Sequence, residues 1–112
     1  MTVVALVGDL ITASRIASVA EQQHVPFRRI DSPDQLPSDD DVLLVVDWGE
    51  RDARWGQSLR EWIAARPASR CLLFGPHVDR QAHADARGLG LGPVVARSAL
   101  VQKLNDLLSS YT

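Results

Sequence analysis

Four apolar runs of strand length divide the chain: Val3-Val4-Ala5-Leu6-Val7, Val42-Leu43-Leu44-Val45-Val46, Cys71-Leu72-Leu73-Phe74 and Pro93-Val94-Val95-Ala96. The first two are continuous and rich in β-branched residues, the pattern of strands buried on both faces of a helix-covered parallel sheet. A fifth segment, Val25-Pro26-Phe27-Arg28-Arg29-Ile30, alternates and carries a proline, which suits an edge strand. The stretches between read as helices. Thr12 is placed to cap one with Ala13, Ile16, Ala17 and Ala20 on a face. Trp55, Leu59, Trp62 and Ile63 mark a second, stopped by Pro67. Ala82, Ala86 and Leu89 mark a third, from about Asp79 to Arg87, with Gly88 at its end. Ser98 is placed to cap the last, which runs through Leu100, Leu104, Leu107 and Leu108.

One connection breaks the pattern. Asp31-Ser32-Pro33-Asp34-Gln35-Leu36-Pro37 has a capping serine and a proline at the first helical position, then a second proline too soon. It holds one helical turn at most. The Asp39-Asp40-Asp41 run reads as a solvated turn. The order is therefore β-α-β-(turn)-β-α-β-α-β-α, which predicts right-handed parallel crossovers in an α/β fold. A flavodoxin-like three-layer sandwich follows, with strand order 2-1-3-4-5 and one domain over residues 1–112. Ligands gather in such folds outside the carboxyl ends of strands one and three. Asp9 follows the first of these strands and Asp47 closes the third. With the carbonyl of Gly49 they make a candidate oxygen site for a hard divalent cation, and Asp47 is a candidate nucleophile toward a phosphoryl donor.

Charge narrows the function classes. The formal net charge is −2, with Lys103 the single lysine among twelve basic residues and acids interspersed throughout. No clustered basic face for nucleic acid is legible. No apolar run nears the roughly 20 residues that span a bilayer, and no targeting segment precedes the first strand, so a cytoplasmic location is expected. Cys71 is the single cysteine, placed in an apolar run where an inert thiol is expected. Gly8-Asp9-Leu10-Ile11-Thr12 lacks both the glycines of a dinucleotide turn and the Gly-Lys-Ser/Thr of a P-loop. His24, His77 and His83 are scattered, the latter two read as surface residues. Trp55 and Trp62 share a helix face and are expected in the core, whereas Trp48 is expected at the pocket as an exposed contact.

The stretch Val4 to Leu10 with Thr12, Arg15 and Ile16, the strand Val42 to Asp47, and Gly92-Pro93-Val94-Val95 with its leucine-striped helix together resemble a response-regulator receiver domain. The resemblance implies Asp47 as the phosphoacceptor and Asp9 as a magnesium ligand. It is a degenerate one. Gly8 stands where the first of a pair of acids is usual, Gly75 where a Thr or Ser contacts the phosphoryl group, and Ala96 and Arg97 where Lys and Pro follow the fifth strand. Arg97 replaces a point charge with a planar fork. Phosphoryl transfer needs metal and cation to neutralise the transferring group, so magnesium is expected to bind weakly or not at all. The expected function is that of a stand-alone pseudo-receiver: no enzyme, but a phosphorylation-independent protein-interaction module in bacterial signalling. The alternatives are a working receiver phosphorylated on Asp47 with Mg2+ at Asp9, and a small flavodoxin-like ligand-binding protein or enzyme. A protein partner is implied, together with a weak, salt-sensitive homodimer through the receiver's fourth helix, fifth strand and fifth helix. The charges expected at that face are Arg80, Arg87, Arg97, Lys103, Asp79, Asp85 and Asp106, with Val101 and Tyr111 as its apolar share.

Overall fold

The computed structural model describes residues 1–52, 54–76 and 79–110. The expected positions of His77 and Tyr111 lie outside the described residues. Strands β1 (Thr2–Leu6), β2 (Phe27–Ile30), β3 (Val42–Asp47), β4 (Arg70–Gly75) and β5 (Val94–Ala96) form one sheet in the order β2-β1-β3-β4-β5. Every pairing is parallel. Helices α1 (Leu10–Gln22), α2 (Trp55–Ala64), α3 (Arg80–Gly88) and α4 (Leu100–Ser109) cover its two faces. The expected α/β doubly wound order is observed.

Period-two alternation assigns each strand residue to a face. Val3, Ala5, Val7, Leu43, Val45, Leu72 and Phe74 pack with α1 and α4 in one core cluster. Val4, Leu6, Val42, Leu44, Val46 and Leu73 pack with α2 and α3 in the other. Residues 3–6 of β1 and 42–46 of β3 are buried on both sides, which is why they show no polar position. The outer strand β2 has Arg28 and Arg29 exposed, as an edge requires. Pro26 lies just before it and its carbonyl accepts from the Val3 amide at 2.9 Å.

The β2–β3 connection is the expected reduced one: a single 3-10 turn, Pro33–Gln35, with Pro33 at its start. The Gln35 side-chain oxygen accepts from the amides of Asp31 (2.6 Å) and Ser32 (3.3 Å) and closes the turn. The receiver's third, fourth and fifth helices are thus α2, α3 and α4 here. Two helix starts differ from expectation. Asp9, not Thr12, caps α1: its carboxylate accepts from the Ile11 amide at 3.0 Å. At the other end of the chain, Ser98 lies inside a 3-10 turn, Arg97–Ala99, and α4 begins after Ala99 with no side-chain cap. The end of α3 falls at Gly88 as expected. The left-handed residue that turns the chain is Gly90 (φ 71°), two positions beyond Gly88.

Candidate acidic site at the carboxyl edge of the sheet

The register places Phe74 opposite Asp47, and Ala96 opposite Gly75. Arg97, the first residue after β5, is therefore delivered to the carboxyl end of β3. Its Nη2 donates to Asp47 Oδ2 at 3.0 Å, and its Nη1 donates to Thr12 Oγ1 at 3.0 Å. The Thr12 hydroxyl in turn donates to Asp9 Oδ2 at 2.6 Å, and Arg97 Nη1 lies 3.8 Å from that same oxygen. The guanidinium also stacks over the Phe74 ring, 5.0 Å from its centroid. Arg97 thus stands between the two carboxylates, held by an acid, a hydroxyl and an aromatic face.

The two acids occupy different environments. Asp47 has a side chain only 3% exposed, and its Oδ1 has no hydrogen-bond partner. Asp9 is about half exposed. Its carboxyl is held below the usual carboxylate range, first by the Thr12 hydroxyl and the Ile11 amide, with Arg97 adding attraction. Asp9 is therefore ionised near neutral pH.

The other expected site residues fall into place differently. Gly8 is exposed, and a Cβ there would meet nothing within 4 Å. Gly49 belongs to the 3-10 turn Trp48–Glu50, whose backbone rests on the end of β4. A Cβ on Gly75 would stand 3.0 Å from the Gly49 nitrogen and 3.2 Å from its Cα. A Cβ on Gly49 would stand 2.7 Å from Pro76 Cδ. Glycine at 75 is thus what lets this turn close over the strand, and a Thr or Ser would displace it.

Trp48 is not the exposed contact expected of it. It is 1% exposed in the α2/α3 core, and its indole N–H donates to the Ala82 carbonyl at 2.8 Å. The reason is parity: Val42, Leu44, Val46 and Trp48 lie two apart, so Trp48 continues the α2/α3 face one residue past the strand. Trp62 is buried as expected, with its indole donating to the Pro37 carbonyl at 2.8 Å, and Trp55 packs at the edge of the same core. His83, expected at the surface, is partly buried, with Nε2 shielded and unpartnered. Cys71 is packed against that core too, and desolvation pushes its thiol up to about 12.

Sequence reasoning missed Thr12 as the hydroxyl bridging Asp9 to Arg97, and Phe74 as the platform beneath Arg97. The Asp9-to-Thr12 spacing was the available signal for the first, since a residue three after an N-cap faces back toward it. Nothing in the sequence marked the second before the register of β3 and β4 was known.

A receiver-type magnesium site does not fit these residues. The protein offers two carboxylates, and the Arg97 guanidinium already occupies the space between them. Among the described residues, no three His, Cys, Asp or Glu side chains converge as metal ligands. No helix among them is long and apolar enough to cross a membrane.

No protein-family profile and no curated protein sequence matches the chain. Solved structures do. The RcsB response regulator of Salmonella typhimurium superposes with a TM-score of 0.73 at 14% identity, over 99% of this chain and 59% of that one. This chain thus spans less than two thirds of that protein. A response regulator from Thermotoga maritima superposes with a TM-score of 0.73 at 15% identity, over 96% and 97% of the two chains. The receiver domain of the Francisella response regulator 1452 gives 0.64 at 14% identity, over 99% and 98%. The chain has the receiver fold of response regulators over nearly its whole length, at low sequence identity.

Proposed function

We propose that this chain is a pseudo-receiver, a protein-interaction module in signalling that works without phosphorylation and is not an enzyme. The observation that carries the reading is the burial of Asp47 beneath Arg97. A carboxylate nucleophile must present a lone pair in line with the phosphorus. Here one oxygen is committed to the guanidinium and the other is shielded. Metal binding would normally organise and neutralise the incoming group, but the cation at this site is a tethered side chain. The 3-10 turn packed on Gly75 closes the place from which a hydroxyl would contact the phosphoryl oxygens.

The surface around the closed site supports an interaction role. Leu10 and Ile11, consecutive in the first turn of α1, are 68% and 69% exposed beside Asp9. Adjacent large apolar side chains this exposed are available to a protein partner. The test is incubation with acetyl phosphate and magnesium, read by intact mass. Unmodified protein is expected. An added phosphoryl mass on the wild type, absent from Asp47→Asn, would establish the working-receiver alternative instead.

A further inference from the structure

Pro33 and Pro37 hold the β2–β3 connection to a single 3-10 turn, and a right-handed crossover lays that turn on the sheet face that α2 covers. The Trp62 indole, donating to the Pro37 carbonyl at 2.8 Å, fastens it there. A full helix in this connection would fill the flank of α2. The short turn instead leaves a cleft of about 300 Å3 against the first turn of α2, lined by Ser32, Pro33, Asp34, Arg54, Trp55 and Ser58. None of Asp9, Thr12, Asp47 and Arg97 belongs to it.

The lining joins opposite charges to an apolar wall. Arg54 Nε and Nη2 each donate to the Asp52 carboxylate at 3.2 Å, which sets the guanidinium plane and leaves Nη1 for a ligand. Asp34 lies near enough to add its attraction for Arg54 to that of Asp52. Trp55 is half-buried at the edge of the α2/α3 core, and the Pro33 ring joins it as apolar lining. Ser32 and Ser58 bring hydroxyls that can donate or accept.

We propose that this cleft binds a small dipolar molecule, an ammonium and a carboxylate beside an apolar body, of the class of the free α-amino acids. Arg54 takes the carboxylate, for which a guanidinium is the suited donor. Asp34 takes the ammonium, and Trp55 with Pro33 takes the side chain. A hard metal ion is excluded, because Asp34 is the one carboxylate lining the cleft. A phosphate would set two charges against one guanidinium and the repulsion of Asp34. The volume lies at the low end of the roughly 300–1,000 Å3 of ligand clefts, so the ligand is small. Both charges are exposed, so binding is weak. The inference is independent of whether Asp47 is phosphorylated.

Heteronuclear NMR tests it through the tryptophan indole N–H signals. Trp48 and Trp62 donate inside the fold and serve as internal references, whereas Trp55 lines the cleft. The probes are L-leucine, isocaproate, which lacks its ammonium, and isoamylamine, which lacks its carboxylate. L-Leucine should shift the Trp55 signal saturably at millimolar concentration. It should bind about tenfold more tightly than either analogue, as the loss of one charge-assisted contact implies. Asp34→Asn should bring L-leucine down to the level of isocaproate, and Arg54→Gln to that of isoamylamine. Both residues are exposed, so the variants should fold, with unmoved Trp48 and Trp62 signals as the check. L-Leucine that gives no saturable Trp55 shift overturns the site. Equal affinity for L-leucine and both analogues, or an affinity that neither substitution changes, overturns the dipolar recognition.

Discussion

At the scale of single residues, Asp9 has two roles that a substitution can separate. Its carboxylate caps α1 through the Ile11 amide and faces Arg97 through Thr12. Asparagine caps a helix about as well as aspartate, whereas alanine does not. Asp9→Ala should therefore lower the melting temperature measurably more than Asp9→Asn at neutral pH. The acid limb gives a second readout. The folded carboxyl sits below its ordinary range, so its stabilisation is fully present above that range and is lost as pH falls through the folded value. Asp9→Asn should flatten the acid loss of stability, and an acid limb identical to wild type would contradict the bonding described.

Gly8 and Gly75 both depart from the receiver pattern, yet for different physical reasons. A side chain at Gly8 meets open space, and one at Gly75 meets the Gly49 backbone. Gly8→Asp should fold with near wild-type stability. Gly75→Thr should cost about 1–3 kcal/mol by overpacking against main chain that has no rotamer to change. Urea unfolding of the two variants distinguishes a lost residue from a rebuilt loop. Equal stability would mean that the turn at Trp48–Glu50 yields freely.

Among the elements, the sequence was legible wherever burial was two-sided or strictly periodic. The runs from Val3 and Val42 became β1 and β3, and the stripe Leu100, Leu104 and Leu108 became the buried face of α4. The two prolines at 33 and 37 announced the missing helix. Helix starts were less legible, because Asp9, Thr12 and Ser98 are all competent caps and only the path of the chain decides which is used. Asp9 and Asp47 were found from strand ends alone. Their bridging by Arg97 and Thr12 was not, since residues 12, 47 and 97 meet only through the register of five strands. Trp48 was misplaced although its parity with Val46 was readable. At the end of α3, Gly90 adopts φ 71°, which a Cβ disfavours. Gly90→Ala should cost about 1 kcal/mol, and a thermal scan showing no loss would mean that this turn relaxes into another shape.

For the whole molecule, the structure changes what association between copies should look like. The face built from α3, β5 and α4 was expected to pair through a mixed set of seven charges. Three of these are committed within the chain. Arg97 is bound to Asp47, Asp85 is bound to Arg51, and Asp79 caps α3 through the Ala82 amide at 3.0 Å. Arg80, Arg87, Lys103 and Asp106 remain without an ion-pair partner among the described residues. Asp79 keeps its charge as a cap, so three cations face two anions, and a two-fold axis would set this weakly net positive face against itself. Of the apolar share, Val101 is 39% exposed, too little alone to offset the repulsion and the entropy lost on association. The chain should therefore sediment as a monomer at low salt, and any association through this face should strengthen as salt screens the like charges. Lys103→Gln, which balances the face at two of each sign, should favour self-association at low salt. A wild-type dimer that forms at low salt and dissociates as salt rises would show instead that opposite charges meet across the interface, and that some of the internal pairs exchange partners between copies.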